Sequence, residues 1–316
     1  TMRTAGEEFA MALHLAGLAP AWDEARVTGF EVIPLALLGR PRVDVTLRVS
    51  GLFRDVFPGL AQMFGAGAQA LAAREEDAAD NPYAARGPRV FGPKPGLYGL
   101  AMGEAMEDYS DEGRTAAGEA WLAASEWSID PTGASHRDRA ALEARVRGAD
   151  AFAHVQDLAE TDLLLASDYA AHEGGFAAAV AALGGGAPAL YRVDATRPDA
   201  PRARSLAEEL ARVVRGRAAN PAWADGMMRH GFRGAAEIAA TADHLAAFAH
   251  LTRAVPAHLI DLYHDATLGR DEVVAFLRAA NPGALAALEA RFRALADAGL
   301  WVTRRNSIAA MLGAAE

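Results

Sequence analysis

The stretch GRPRVDVTLRVSGLFRD, residues 39–55, carries the pattern on which the fold prediction rests. From Val43 to Ser50, apolar and polar residues alternate strictly. This is the period-two pattern of a strand with one buried face. The strand predicted over 43–50 ends at Ser50-Gly51, where a helix can begin and present its backbone amides to an anion.

The segments on either side of this strand predict an α/β fold. Thr4 and Glu7 have the spacing of a capping box, VTGFEVIPL (27–35) reads as extended, and Pro58 is placed to open a helix. Further strands are predicted at ADAFAHVQ (149–156) and APALYRVD (187–194), with a helix between them. This order predicts a parallel sheet flanked by helices in the first two-thirds of the chain.

From Ser205 onward the sequence predicts a largely α-helical C-terminal portion. SLAE (205–208) is a second capping box, and an amphipathic stripe follows it. We therefore expect an α/β domain over 1–200, with a long Pro/Gly-rich loop at 77–99, and a helical portion over 201–316 packed on it. Helices are also expected at 100–108, 114–125 and 136–147.

Composition narrows the classes of function. The formal net charge of −10 opposes binding to nucleic acid or to an anionic membrane surface. No apolar run approaches the roughly 20 residues of a membrane span. The absence of cysteine excludes disulfides and thiolate metal sites, and no G-x-x-x-x-G-K-[ST] motif is present to hold ATP. A cytoplasmic protein that does not itself hydrolyse ATP is the expectation.

Four arginines crowd around the 43–50 strand and are candidates for anion recognition. Arg48 lies on its polar face, Arg54 follows its end, and Arg40 and Arg42 precede it. Planar guanidinium groups suit carboxylate or phosphate. The alternative is structural: Arg48 pairs with Asp44 on the same face and the other arginines are solvated.

The segment VQDLAETD (155–162) follows a predicted strand and concentrates carboxylates. Asp157 and Glu160 could collect a divalent ion and take up protons. The alternative is a solvated acidic loop. Farther along, His230 is a candidate metal ligand, although Gly231 and Gly234 argue against a helix that would put it on one face with Glu237.

These segments resemble a known family. VTGFEVIPLALLGRPRVDVTLRVSGLFRDVFP closely resembles the large subunit of aerobic cobaltochelatase and, more distantly, the porphyrin-binding subunit of magnesium chelatase. The resemblance continues in order through NPYAAR, RVFGPKPGLYG, RSLAEELARVVRGRAANPAWADGMMRHGFRGAAEIAATADHL and GLWVTRRNS. Proteins of that family are far longer, and this sequence resembles their C-terminal part.

The resemblance implies a reaction and partners. It implies insertion of Co²⁺ into the corrin precursor hydrogenobyrinic acid a,c-diamide during cobalamin synthesis. The large subunit of the family holds the tetrapyrrole and the metal, while separate AAA+ ATPase and integrin-like subunits bind ATP with Mg²⁺. The candidates for binding the macrocycle are then Arg40, Arg42, Arg48, Arg54, Tyr98 and Arg204.

The resemblance also bears on the acidic loop. The family usually has aspartate and glutamate at Asp157 and Glu160, which makes these two the catalytic candidates and, with His230, the metal-ligand candidates. Leu158 and Thr161, however, stand where the family usually has asparagine and histidine. An aspartate is usual at position 166, which is alanine here.

Three hypotheses follow, of which the first two come from different classes. The first is a component of a metallochelatase of the ligase type, inactive alone. The second is a noncatalytic module that binds tetrapyrrole or docks the AAA+ partner, which the departures over 157–168 favour. An unrelated α/β anion-binding domain is the third.

Overall fold

The computed structural model describes residues 6–24, 26–197 and 199–313. Their contacts divide the chain into two compact units. The first holds the described residues of Thr1–Ala101, Ala120–Ala149 and Ala195–Ala200; the second holds those of Met102–Glu119, Asp150–Asp194 and Pro201–Glu316. Residues 150–194 thus group with the helical segment, whereas the predicted division into an α/β domain over 1–200 and a helical portion over 201–316 stays a prediction. Within the described ranges, no helix has the length and apolar character to cross a membrane.

The strands are short and form three separate sheets. They are β1 (Leu18–Asp23), β2 (Arg26–Val32), β3 (Leu47–Arg48), β4 (Val90–Gly92), β5 (Trp127–Ile129), β6 (Ser135–Arg137), β7 (Ala151–Gln156), β8 (Ala189–Asp194) and β9 (Arg202–Ser205). β1 and β2 make an antiparallel hairpin. The second sheet runs β3-β4-β5-β6 and the third β7-β8-β9. Parallel pairing joins β3 to β4 and β7 to β8, while the other neighbours are antiparallel.

Helices make up most of the regular structure. They are α1 (Glu7–Ala16), α2 (Leu35–Leu38), α3 (Gly51–Val56), α4 (Pro58–Ala72), α5 (Asp111–Ala123), α6 (Arg139–Arg147), α7 (Ser167–Tyr169), α8 (Gly175–Ala182), α9 (Leu206–Val213), α10 (Pro221–Met228), α11 (Gly231–Thr252), α12 (Ala257–Ala266), α13 (Asp271–Ala280), α14 (Pro282–Asp297) and α15 (Asn306–Gly313). π-helical turns at Ala170–Gly174 and Val214–Ala218 follow α7 and α9. The α/β class with a helical C-terminal portion is confirmed, although its sheets are small and mixed.

The strand predicted over 43–50 is wrong in its extent. Only Leu47 and Arg48 pair with a neighbouring strand, β4. Upstream, the amide of Val43 donates to the Leu15 carbonyl, and its carbonyl accepts from the Tyr83 hydroxyl. Alternation along a sequence marks which side chains are buried, but these backbone groups find partners outside any sheet. Consequently the segment is extended without being a long strand.

Some helix starts agree with the sequence predictions, and others differ from them. Pro58 opens α4, and Ser205 with Glu208 forms the predicted capping box of α9. The helix expected at 100–108 is wrong, since only a 3₁₀ turn occurs at Gly103–Met106. The helix expected from 136 begins at 139, because β6 occupies the preceding residues and Asp138 caps α6. Thr4 lies outside the described residues.

Helix α11 is the central element of the second unit. It packs against α8, α10, α13 and α14, and buries Ile238, Leu245, Phe248 and Leu251. His250 is also buried on this helix, with its ring 5.3 Å from that of Tyr109. The buried face of a single long helix therefore organises this unit.

Burial of histidine predicts loss of stability in acid. Burial, together with the nearby Arg253 and Arg114, lowers the pKa of His250 from 6.5 to about 4. Burial also lowers the pKa of His264. The unfolded chain binds protons that the folded chain excludes, so the free energy of unfolding should fall as the pH drops from about 6.5 towards 4.

The variant His250→Phe tests whether His250 causes the loss of stability in acid. It retains an aromatic ring beside Tyr109 and removes the titrating group, so urea unfolding should show a weaker loss of stability between those pH values. His230→Phe, at an exposed position, is the matched control and should keep the wild-type pH dependence. An unchanged slope in His250→Phe would contradict the assignment.

Candidate functional site

Two of the predicted substrate arginines close the end of a helix. Arg40 donates to the carbonyls of His14 and Leu15 at the C-terminal end of α1. Arg42 is buried and donates to the Ala16 carbonyl. It also makes a bidentate ion pair with Glu76, in which both hydrogen bonds are 2.8 Å long. Cations at a helix C-terminus satisfy carbonyls that lack intrahelical partners. Both guanidinium groups therefore have hydrogen-bond partners within the chain that stabilise the fold.

Arg48 is held by protein groups as well. Its Nε donates to the Ser125 hydroxyl at 3.1 Å, and its guanidinium lies 6.0 Å from the centre of the Trp121 ring. Burial lowers the pKa of Arg48 to about 10. The expected alternative partner, Asp44, instead accepts from Arg89 and Arg145, at 2.7 Å each. The structural interpretation of Arg48 thus named the wrong partner, and binding of an anion by Arg48 stays a prediction.

Arg54, in the last turn of α3, fixes the Pro/Gly-rich loop (77–99) to this helix. It donates to the carbonyls of Pro93 and Lys94, and its Nε donates to Asp55 at 2.8 Å. The Tyr98 hydroxyl donates to the same carboxylate, and these two hydrogen bonds lower the pKa of Asp55. A Cβ at Gly51 would lie 2.7 Å from the Tyr98 ring, so only glycine permits this close approach.

The N-terminus of α3 has its own cap. The Ser50 hydroxyl accepts from the amide of Phe53, and the helix is six residues long. The serine cap thus uses the Phe53 amide, and anion binding at this helix start stays a prediction. The side chain of Tyr98 remains 62% exposed and keeps a surface for stacking.

The second unit holds the other predicted residues, and the carboxyl end of β7 organises them. Gln156, the last residue of β7, donates to the carbonyls of Leu158 and Thr161, at 3.1 and 2.6 Å. These bonds fold the acidic loop back on the strand. Within that loop Asp157 is half-buried and Glu160 is exposed. The loop is consequently ordered by the chain itself.

The far end of the loop is tied down by an ion pair. Asp162 accepts from Arg217 through two bonds, at 2.5 and 2.8 Å, and also from the Leu164 amide. His244 on α11 contacts the Leu164 carbonyl at 2.8 Å. Arg217 also lies 5.0 Å from the centre of the Trp223 ring. Asp162 is therefore a structural carboxylate.

A buried charge network that sequence reasoning missed lies beside this loop. His154 of β7 and Arg192 of β8 are register partners in the parallel pair. Arg192 donates to Glu173 at 2.6 Å, and His154 Nδ1 lies 2.9 Å from both Glu173 Oε1 and Arg192 Nη1. Glu173 belongs to the π-helical turn after α7, and such turns are frequent at functional sites. The available sequence signal was a histidine and an arginine at matching positions of two otherwise apolar strands.

Tyrosine joins the network to the acidic loop. The Tyr169 ring lies 4.4 Å from the Arg192 guanidinium carbon, and its hydroxyl is 2.9 Å from that of Thr161. The Thr161 carbonyl in turn accepts a hydrogen bond from the Gln156 side chain. One continuous set of polar contacts thus runs along the carboxyl end of the β7–β8 pair. We call it the sheet-edge network: Gln156, Thr161, Tyr169, Glu173, Arg192 and His154.

The sheet-edge network has unused hydrogen-bonding capacity. Glu173 and Arg192 are 2% and 1% exposed. Among the described residues, no partner meets Glu173 Oε2, Arg192 Nε or Nη2, or Gln156 Oε1, and Arg217 Nη1 nearby is also unpartnered. Buried polar atoms are nearly always paired in proteins. Their concentration here marks the candidate functional site, with three nitrogen donors and two oxygen acceptors left for a ligand.

The remaining predicted residues lie apart from this network or have partners. Arg204 pairs with Glu209 and Asp194. His230 is exposed at the N-cap of α11, which begins at Gly231 with a left-handed φ of 54°. Of the two glycines expected to interrupt a helix here, only Gly234 lies within α11, and a Cβ there would collide with the Met227 carbonyl. Across the described ranges, no three His, Asp or Glu side chains form a group that could hold a metal ion. Metal ligation by Asp157, Glu160 and His230 stays a prediction.

Glu173→Ala tests the network. It leaves Arg192 buried without its partner, so the free energy of unfolding should drop by about 3–5 kcal/mol. The double variant Glu173→Leu/Arg192→Met removes both charges and should cost less than the single variant. The control Glu237→Ala breaks an exposed pair with Arg233 and should cost about 0–1 kcal/mol. Urea denaturation measures all three, and a single variant no worse than the double would contradict a buried charge pair.

Comparison with known proteins places this arrangement in a family. The model of the CobN/Magnesium Chelatase family matches residues 1–308. The aerobic cobaltochelatase subunit CobN of Sinorhizobium sp. is 43% identical over 97% of this chain and 26% of its own length. CobN of Pseudomonas aeruginosa is 42% identical over 95% of this chain and 26% of its length.

A solved structure agrees with these relatives. The catalytic subunit of cobaltochelatase from Mycobacterium tuberculosis has a TM-score of 0.87 at 32% identity, covering 95% of this chain and 27% of that protein. The chain therefore spans about a quarter of the length of the relatives it matches. On the family match and on these identities, the chain belongs to the CobN/magnesium chelatase family.

Proposed function

We propose that the chain is the C-terminal part of the large subunit of an ATP-dependent cobaltochelatase, a metallochelatase of the ligase type. It contributes to binding the corrin precursor hydrogenobyrinic acid a,c-diamide and the substrate ion Co²⁺ during cobalamin biosynthesis in the cytoplasm. The likeness to proteins named CobN supports this proposal. The activity belongs to the longer subunit, of which this chain is one part.

The observation that carries the proposal is the unused hydrogen-bonding capacity of the sheet-edge network. Arg192 offers donors and Glu173 an acceptor, and both are buried. A macrocycle with carboxylate and amide arms presents the complementary groups. Bonds between a charged side chain and such an arm are stronger than neutral ones. The Tyr169 ring next to Arg192 adds an aromatic surface.

The acidic loop has a separate role in this proposal. When a divalent ion enters a tetrapyrrole, pyrrole nitrogens lose protons, and a nearby carboxylate can accept them. Asp157 and Glu160 lie on a loop whose backbone Gln156 holds against β7. They also offer the oxygen ligands that could hold Co²⁺ loosely before transfer. The loop therefore combines proton uptake with delivery of the ion.

ATP with Mg²⁺ is assigned to the AAA+ ATPase and integrin-like partner subunits. The chain has no phosphate-binding motif of the G-x-x-x-x-G-K-[ST] type. We expect the purified chain to show neither ATP hydrolysis nor cobalt insertion when assayed with Co²⁺, ATP and the corrin precursor. Turnover without partner subunits would contradict this assignment.

Calorimetry with Co²⁺ tests the acidic loop. Oxygen ligands bind late first-row metals weakly, so the affinity should be no tighter than micromolar, about −8 kcal/mol. Asp157→Asn should abolish it. The matched control is Asp150→Asn, the same change at the exposed residue before the other end of β7, which should bind as wild type does. Nanomolar binding, or binding indifferent to Asp157, would place the metal elsewhere.

Absorbance titration of the macrocycle tests substrate class. Hydrogenobyrinic acid a,c-diamide should bind more tightly than protoporphyrin IX, and Gln156→Ala, which releases the acidic loop, should weaken binding about tenfold or more. Asp150→Asn should again leave binding unchanged. Preference for protoporphyrin would indicate a magnesium chelatase, and equal affinity of Gln156→Ala and wild type would remove the sheet edge from the site.

A further inference from the structure

A concave site lies in the second unit, at the end of the third sheet opposite the sheet-edge network. It is a cavity of about 440 Å³ beside the start of β8, near Pro188 and Leu190. Ser205, at the end of the antiparallel strand β9, also lines it. Asp157 follows the other end of β7. The cavity is therefore separate from the sheet-edge network, and its volume falls within the usual range for small-ligand pockets.

The charge of the cavity has one sign. Arg114 and Arg253 line it, and no acidic residue does. Arg114 donates its Nε to the Leu251 carbonyl, while Arg253 pairs with Asp111, whose side chain is 93% exposed. Burial and the neighbouring Arg253 lower the pKa of Arg114. Two guanidinium groups thus line one cavity, and two carboxylates contact its lining: Asp111 pairs with Arg253, and Glu208 accepts from the Ser205 hydroxyl.

The backbone at Arg253 is strained. This residue ends α11 with a left-handed φ of 55°. Glycine is the usual residue at such a helix end because it has no Cβ to clash. An arginine there is accepted at a cost to stability, as is common at functional sites. The exposed ion pair between Arg253 and Asp111 offsets little of this loss of stability.

Much of the cavity wall consists of small or apolar residues, beside Ser205 and Thr252. Ala177 and Ala181 of α8, Pro188, Leu190 and Ala207 are among these small or apolar residues. Their side chains can bury a short hydrocarbon body but offer it no hydrogen bonds. The ligand that matches both features carries a carboxylate for the arginines and a short aliphatic chain for the walls.

We propose that this cavity binds a carboxylate on a short aliphatic chain, held by Arg114 and Arg253. A guanidinium fork binds a carboxylate through two parallel hydrogen bonds. Two sources have this chemistry: a free short-chain organic acid and a carboxylate arm of a larger molecule. The site rests on the cavity and its two arginines, and it does not depend on the proposed chelatase function.

Ligand-observed NMR titration of the whole chain with butyrate, at constant ionic strength, tests the site. Saturable millimolar binding is expected, with no binding of butanol or butylamine and weaker binding of inorganic phosphate. Failure of butyrate to saturate, or equal binding of butylamine, would overturn the proposal. Tighter binding of phosphate would overturn the ligand class.

Variants separate binding from folding. Arg253→Gly removes the charge and the backbone strain together, so it should weaken butyrate binding about tenfold or more while the melting temperature stays the same or rises. Arg114→Gln should also weaken binding, and Ala181→Leu, at an exposed helix position, should block the cavity. Arg233→Ala, an exposed arginine on the same helix as the strained end, is the control. Wild-type binding in Arg253→Gly and Arg114→Gln, or equal loss in Arg233→Ala, would overturn the assignment.

Competition with hydrogenobyrinic acid a,c-diamide identifies the source of the carboxylate. Mutual exclusion assigns the cavity to an arm of the macrocycle, and simultaneous binding assigns it to a free acid. Both results support a carboxylate site. Butyrate binding with no macrocycle binding would contradict the proposed chelatase function while leaving the cavity intact, so the two proposals fail separately.

Discussion

The buried ion pair between Arg192 and Glu173 is the constraint on which the arrangement of the candidate site depends. Removing two charges from water is expensive, and their attraction compensates only when the surrounding polar atoms are also bonded. Here Glu173 Oε1 meets Arg192 and His154, yet the other carboxylate oxygen and two guanidinium nitrogens have no partner in the described part of the chain. The ion pair thus joins β8 to the π-helical turn and leaves unpartnered polar atoms at the sheet edge. An apolar pair would pack this edge at lower cost, which is why the network suggests a ligand.

The arginines of the first unit have the opposite character. Arg42 is as buried as the core around it, but its donors are used by helix carbonyls and by Glu76. Arg89 is similar, pairing with Asp44 and packing over the Tyr83 ring. A cluster of basic residues along the sequence therefore becomes a set of separate structural contacts. The candidate site differs from this cluster in its supply of unsatisfied atoms, not in its number of charges, and substrate binding by the cluster stays a prediction.

Sequence reasoning predicted the features that depend on local chemistry. The strands of the β7–β8 pair, Pro58 at a helix start and the capping box at Ser205 all follow from neighbouring residues. It failed where partners come from far along the chain. The 43–50 strand was shortened because Val43 bonds to Leu15 and Tyr83. The acidic loop was located, but the charges beside it, from residues 154, 173 and 192, could not be paired before the fold was known.

Hydrogen–deuterium exchange of the whole chain, with and without hydrogenobyrinic acid a,c-diamide, tests the central claim that the sheet edge binds the macrocycle. Amide exchange slows where a ligand rigidifies the backbone. We expect added protection from exchange over residues 156–165 and across the π-helical turn at 170–174, with little change at 40–54. Protection confined to 40–54 and 93–98, or no protection at saturating ligand, would contradict it.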